Sequence, residues 1–197
     1  MSKTISEKVL TYVAIGVPLG ALVSVSNSKD NVCGIRRGGK YVQMPLQAYE
    51  SWHRALDGVD AESLREIAAR NNDLDDFSDN LAWFVESDLL LPWTGEEGDY
   101  RRFEEIRVIP CGIGAGNSAD DPTRFAILSR RDATPALWVD FLGYTIWSFC
   151  DGVNTLDEAC QATANHLGIS LDDVRRRTLT LLPALMRNGV AFIDLAI

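Results

Sequence analysis

Histidine and cysteine, which commonly bind zinc and act as nucleophiles or bases, are scarce in this sequence. Its 197 residues include two histidines, His53 and His166, and four widely separated cysteines with no Cys-x-x-Cys pair. This spacing matches no recognisable zinc motif. A cysteine–histidine pair could still meet in space, yet Cys150 and Cys160 fall on apolar helix faces, where buried thiols are typical. We therefore expect no metal, no cofactor and no enzymatic activity.

Long apolar runs and an excess of positive charge are missing as well. No window approaches the roughly 18 consecutive apolar residues that a membrane helix needs, and Met1 to Lys8 do not form an apolar export signal. The net charge is −9, with 15 acidic and 9 basic residues up to Gly98 and 13 acidic and 10 basic residues after it. Both halves therefore repel phosphate backbones. We expect a cytoplasmic protein that binds neither membranes nor nucleic acid.

The C-terminal half does contain a series of clear helix starts and stops. Phe141 to Cys150 is predicted as a short helix, and Asp151-Gly152 ends it because glycine tolerates the left-handed conformation. Thr155 to Glu158 has the form of a capping box and begins a second helix. Ser170 begins a third, in which Pro183 predicts a bend. Strands are predicted before these helices at 106–113, 123–129 and 136–141, and after them at 190–195.

The N-terminal half repeats this order, the outline of a winged helix-turn-helix. Its predicted strands are at 12–17, 22–26, 32–36 and 41–44, its predicted helices at 46–56, 60–70 and 73–86, and residues 89–93 close the unit. Four motifs recur in order: Gly16-Val17-x-x-Gly20 and Gly112-Ile113-x-x-Gly116, Tyr49-x-x-Trp52 and Tyr144-x-x-Trp147, Asp57-Gly58-Val59 and Asp151-Gly152-Val153, Asp75-Asp76-Phe77 and Asp172-Asp173-Val174.

These recurrences predict an internal duplication, because chance agreement of four motifs in one order is not expected. We predict an α+β fold of two tandem winged-helix-like units. Each unit is a small antiparallel sheet of about three strands followed by three helices. The units span residues 1–93 and 100–197, and a polar, glycine-containing linker covers 94–99.

The second unit resembles the PqqD-like family of RiPP recognition elements, small winged-helix domains that bind the leader segment of ribosomally made precursor peptides. The residues that carry the resemblance are Trp147-x-x-Cys150-Asp151-Gly152-x-x-Thr155-x-x-Glu158, Leu171-x-Asp173-Val174 and Leu185-x-x-x-Gly189-Val190. The first unit shows a worn version in Trp52, Asp57-Gly58, Leu64-x-Glu66 and Asp88-Leu89-Leu90. Members of the family are usually one short domain or a module fused to an enzyme, whereas this chain contains two fused units.

The resemblance implies a non-enzymatic protein that holds a leader peptide and presents it to a peptide-modifying enzyme. The peptide would add as an extra strand beside the third strand of the sheet and lie against the third helix. The peptide-binding residues would be Leu137, Trp138, Val139, Asp140 and Phe141 on the strand and Arg175, Leu179, Leu182 and Met186 on the helix. Which repeat binds, and whether the chain forms a homodimer, stay open.

Two other features leave alternatives. Arg175, Arg176 and Arg177 lie where the recognition helix of a winged-helix transcriptional regulator would contact DNA. The triplet could instead be part of a solvated helix face or contact an acidic leader peptide. A non-catalytic subunit of a peptide-modifying complex is a further possibility. Gly112-x-Gly114-x-Gly116 is interpreted as a hairpin or bulge, because a strand rather than a helix follows it.

Overall fold

Two successive sets of strands and helices, in one common order, make up the described part of the protein. The computed structural model describes residues 11–22, 32–70 and 77–196. The first set contains β1 (Thr11–Ala14), β2 (Val17–Leu22), β3 (Val32–Arg37), β4 (Lys40–Pro45), α1 (Leu46–Arg54), a 3-10 helix (Ala55–Asp57), β5 (Val59–Asp60), α2 (Ala61–Arg70), α3 (Phe77–Glu86) and β6 (Leu90–Trp93). The second contains a 3-10 helix (Glu97–Arg102), β7 (Ile106–Pro110), β8 (Gly112–Asn117), β9 (Arg124–Ser129), β10 (Pro135–Asp140), α4 (Phe141–Phe149), α5 (Leu156–Leu167), α6 (Leu171–Arg187) and β11 (Ala191–Leu195).

The strands of each unit divide between two antiparallel sheets. Three of them form a meander, in the order β2-β3-β4 in the first unit and β8-β9-β10 in the second. The first and last strands pair separately, β1 with β6 and β7 with β11. The predicted strands at 12–17 and 106–113 are each split in two, because the chain leaves one sheet at Ile15 or Cys111 and enters the other. The predicted strand at 22–26 lies outside the described residues apart from Leu22.

This arrangement confirms the predicted α+β class and its two winged-helix-like units, each with a three-stranded sheet and three helices. The unit boundaries, 1–93 and 100–197, stay a prediction.

A glycine with a positive φ angle lies at the same place in both meanders. Gly20 has φ 77° and Gly116 has φ 80°, and beside each the register to the middle strand shifts. Glycine adopts this conformation without the steric penalty that a side chain would bring. The recurring glycine motif therefore marks one β-bulge per unit. The predicted hairpin or bulge over Gly112 to Gly116 is confirmed.

The two tryptophans of the second recurring motif make the same hydrogen bond. Trp52 Nε1 donates to the Leu89 carbonyl at 3.0 Å, and Trp147 Nε1 donates to the Val190 carbonyl at 3.4 Å. Each of these carbonyls belongs to the residue directly before the last strand of its unit. Both indoles are buried, and a buried indole N–H left without an acceptor would be costly. The motif therefore recurs because each unit closes around one Trp–carbonyl bond.

Helix ends follow the predicted starts and stops. The Thr155 hydroxyl accepts from the Glu158 N–H at 3.1 Å, and the Glu158 carboxylate accepts from the Thr155 N–H at 2.8 Å, which completes the capping box. Gly152 has φ 75° after α4, and α6 runs through Pro183 to Arg187. The recurring Asp75-Asp76-Phe77 motif falls mostly outside the described residues. Among the described helices, none is both long and apolar enough to span a membrane.

The two units pack against each other through equivalent positions of their last strands. Trp93 of the first unit donates from Nε1 to the Leu179 carbonyl of α6 at 3.1 Å. Asp194 lies at the corresponding place of the second unit, and its carboxylate accepts from the Gly38 N–H of the first unit at 2.7 Å. The same carboxylate accepts from Arg107 of its own unit at 3.0 Å. The Asp194 side chain is fully buried. A buried, paired carboxylate at this boundary holds the units in one relative position.

The segment predicted as a linker, 94–99, contains local structure. Asp99 is buried, and its carboxylate accepts from the backbone N–H groups of Thr94 and Gly95, each at 2.8 Å. Trp93 and Phe103, on either side of the segment, stack with their ring centres 6.0 Å apart. The turn between the units is therefore held by its own carboxylate and by an aromatic pair.

Candidate functional site

The strand β10 lies at an edge of its sheet. Its only strand neighbour among the described residues is β9, and the sheet continues from β9 to β8. At its C-terminal end the chain passes directly into α4. Phe141, which both the predicted strand and the predicted helix included, is the first residue of the helix. An edge strand carries backbone N–H and C=O groups without a strand partner. Which residues carry them follows from the hydrogen bonds of β9.

The backbone of β9 points alternately towards β8 and towards β10. The Arg124 carbonyl accepts from the Ser118 N–H at 2.7 Å, on the β8 side. The next residue, Phe125, must therefore point its N–H and C=O towards β10. Ser129 is in the same phase as Phe125, and it donates to the Thr134 carbonyl at 2.9 Å in the turn that leads into β10. Both ends of the strand thus give the same alternation.

The open edge of β10 is formed by the backbone of Trp138 and Asp140. Val139 lies directly opposite Phe125, so its N–H and C=O bond to β9 and its side chain is buried in the core. The residues on either side of Val139 point their backbone groups in the opposite direction. The N–H and C=O of Trp138 and the N–H of Asp140 consequently face away from the sheet, whereas the Asp140 carbonyl, at the N-cap of α4, accepts the first hydrogen bond of that helix.

Two exposed aromatic rings lie beside these backbone groups. The Trp138 side chain is 38% exposed, and the guanidinium of Arg124 lies 5.4 Å from its ring centre. Phe141 is 52% exposed and packs on Phe125 with ring centres 5.4 Å apart. Large exposed aromatic side chains next to an open strand edge can contribute apolar contact area to a bound segment.

An ion pair connects the end of β10 to α6. Asp140 caps α4 by accepting from the Gly143 N–H at 2.7 Å. The same carboxylate accepts from Arg177, with Nε at 3.1 Å from Oδ2 and Nη2 at 3.3 Å from Oδ1. The Asp140 side chain is 57% exposed and that of Arg177 is 28% exposed. The pair thus lies at the surface, where α6 approaches the open edge.

The structure corrects the predicted role of three helix residues. Leu179, Leu182 and Met186 are all buried in the hydrophobic core of the second unit, so their side chains cannot line an open groove. Spaced three and four residues apart, they form the stripe of α6 that packs inward. Of the strand residues, Val139 is likewise in this core, and Leu137 is half-buried against it.

The three consecutive arginines of α6 have separate surroundings. Arg175 bonds to Asp157 at 2.6 and 2.9 Å, and these hydrogen bonds raise the pKa of the Arg175 guanidinium. Arg176 pairs with Asp173 at 3.1 Å on the exposed side of the helix. Arg177 alone of the three contacts β10. Arg175, predicted to face the peptide, is thus bound to Asp157 of α5, and Arg177 is the arginine of the triplet that lies beside β10.

The corresponding edge of the first unit lacks these features. In β4, Gln43 lies opposite Gly34 and Pro45 lies opposite Val32. The matching register of the second unit places Trp138 and Asp140 at these positions. Proline has no backbone N–H, so the edge of β4 lacks the donor that Asp140 supplies. The sequence signal for this difference is the residue directly before the first helix of each unit, which is Pro45 before α1 and Asp140 before α4.

The buried thiols of the second unit are not poised for nucleophilic chemistry. Burial raises the pKa of Cys160 to about 11 and raises the pKa of Cys150 further, far above its usual range. Both thiols are therefore protonated at neutral pH, and the thiolate is the reactive form. In the described ranges, no three His, Cys, Asp or Glu side chains lie together in a way that could hold a metal ion.

Comparison of the sequence with protein-family models and with curated proteins finds no match.

Proposed function

We propose that this protein binds an extended peptide by strand addition at the open edge of β10. The observation that carries the proposal is the outward direction of the Trp138 N–H and C=O and of the Asp140 N–H on a strand with a single neighbour among the described residues. A peptide laid along β10 would donate to and accept from these groups. The resemblance of the second unit to RiPP recognition elements suggests the class of partner, a precursor peptide that is presented to a modifying enzyme.

The energetics favour an edge site that combines backbone and side-chain contacts. Each backbone hydrogen bond contributes a net of about 0.5–1.5 kcal/mol, which is too little by itself to hold a short flexible peptide against its loss of conformational freedom. The exposed rings of Trp138 and Phe141 supply apolar contact next to the same backbone groups. Affinity would then come from the edge, and selectivity from these rings.

The first unit would support the second instead of binding a peptide itself. Pro45 interrupts the donors along the edge of β4, and Gln43 replaces the aromatic ring. Trp93 and Leu91 of the first unit belong to the same hydrophobic core as β7, β11 and α6. We therefore assign the first unit the role of holding the sheet and α6 of the second unit in place.

A DNA-binding function receives less support. Arg175, Arg176 and Arg177 each form an ion pair with an aspartate of the chain, so the triplet presents no net positive surface to a run of phosphates. The net charge of −9 acts in the same direction.

The test uses the full chain and a display library of random linear peptides of about a dozen residues. A selected peptide is then titrated by fluorescence polarisation. Trp138→Pro removes an outward N–H and no bond to β9, so it should weaken binding by about tenfold or more while the fold is retained. Trp138→Thr keeps the N–H and loses only the ring, so a smaller loss of about two- to tenfold is expected.

A matched control is available in the first unit. Gln43→Pro makes the same backbone change at the equivalent outward position of β4 and should leave the affinity unchanged. Circular dichroism and thermal melting would establish that all three variants are folded. Wild-type affinity in the folded Trp138→Pro variant, or no peptide enriched by the chain at all, would refute the proposal.

A further inference from the structure

We infer that Arg177 selects a carboxylate in the bound peptide, at the residue that passes the C-terminal end of β10. The inference rests on the proposed function and specifies the chemistry of the ligand at that same edge. Arg177 is the one member of the arginine triplet that reaches β10, where it pairs with Asp140. A peptide that follows the strand must pass this guanidinium.

The position of the guanidinium is shaped by a glycine. A Cβ atom on Gly143 would lie 3.2 Å from Arg177 Nη2 and 2.9 Å from Asp140 Oδ1. These distances are shorter than or at the lower limit of ordinary contacts, so a side chain here would push the ion pair aside. The bare backbone of Gly143 therefore leaves room for the Arg177 guanidinium beside the first turn of α4.

The hydrogen bonds of Arg177 leave two donors unused. A guanidinium has five N–H groups. One on Nε and one on Nη2 serve Asp140, and one on Nη1 serves the Thr180 hydroxyl at 3.1 Å. One N–H remains on each terminal nitrogen. These two N–H groups can donate to a carboxylate of the peptide without displacing Asp140.

A carboxylate fits this place better than a larger anion. Arg177 alone can offer only its two remaining N–H groups to an anion, because Arg175 and Arg176 are paired with Asp157 and Asp173 at other places on the helix. The net charge of −9 further opposes a polyanion. Within a peptide, the carboxylate can belong to an Asp or Glu side chain or to the C-terminus, and the experiment must separate these sources.

The experiment compares peptides obtained from the display selection against the full chain. Among the enriched sequences, one register should be enriched in Asp or Glu. Replacing that residue by Asn or Gln in a synthetic, C-terminally amidated peptide should weaken binding about five- to tenfold. If amidation itself causes this loss, the carboxylate is that of the C-terminus. Arg177→Gln should abolish the discrimination between acid and amide yet still bind the amide peptide as wild type does.

Arg176→Gln is the matched control, because Arg176 is the preceding residue of the helix and pairs with Asp173 away from β10. It should keep the full acid preference. Peptides that bind through β10 with equal affinity for acid and amide forms would overturn this inference and leave the proposed function standing. A chain that enriches no peptide would instead remove the proposed function, and this inference with it.

Discussion

The first and second units share their buried framework and differ at their exposed edge. Both have a bulge glycine at the same register position, Gly20 and Gly116, and both bury a tryptophan that bonds to the carbonyl before the last strand. At the edge, Gln43 and Pro45 of one unit stand where Trp138 and Asp140 stand in the other. Buried contacts constrain both copies of a duplicated fold, whereas an exposed edge can change without loss of the core.

The third helices end alike, since Leu89 donates to the Phe84 carbonyl at 2.8 Å and Val190 donates to the Leu185 carbonyl at 3.0 Å. Counted back from these turns, Phe77, the first described residue of α3, corresponds to Thr178 of α6. The position that corresponds to Arg177 therefore lies outside the described part of the first unit.

The largest expected effect tests the shared framework. Trp52→Ala and Trp147→Ala should each destabilise the protein by about 3–5 kcal/mol, because each removes a large buried ring together with one of the hydrogen bonds to a buried carbonyl. Urea denaturation followed by circular dichroism would measure both. Since the two indoles have the same role, a loss below about 1 kcal/mol for either one would contradict the equivalence of the units.

An intermediate effect would come from copying the second edge onto the first. The double variant Gln43→Trp with Pro45→Asp restores an outward donor and an aromatic ring to β4, so the chain should bind two peptides rather than one. The new site should be the weaker, because Leu46 begins α1 at the place where the exposed aromatic Phe141 begins α4. Isothermal titration calorimetry gives the stoichiometry directly. An unchanged stoichiometry in a folded variant would mean that features other than these two positions distinguish the edges.

The smallest effect concerns acid stability at the turn after α4. Asp151 accepts from the N–H groups of Val153 and Asn154, each at 2.8 Å, and these bonds lower the pKa of its carboxyl below the usual 3.8. Its stabilising contribution is therefore complete above about pH 4 and is lost as the pH falls through the folded-state pKa. Asp151→Asn should make the loss of stability between pH 5 and pH 2 slightly shallower, measured by urea denaturation. A steeper loss would contradict this sign.

Local patterns predicted much of the fold. The capping box of Thr155 and Glu158 and the glycine after α4 act within a few residues, so they could be identified from the order of residues alone. The recurrence of the Trp and Gly motifs likewise indicated the duplication. The predicted site was partly wrong: it assigned Leu179, Leu182 and Met186 to a peptide groove, although α6 buries them. Periodicity identifies an apolar stripe on a helix but not what covers it.

The sequence by itself determined where helices begin and end, because caps and stops depend on neighbours three or four residues away. It also determined that one arrangement occurs twice, because the same short motifs recur in the same order. Only the tertiary structure decided which strand edge is open and which arginine meets it. The Arg177–Asp140 pair joins residues 37 positions apart, and the outward direction of Trp138 depends on the register of β10 with β9. Contacts of this range are set by how the sheets and helices pack, which no local pattern encodes.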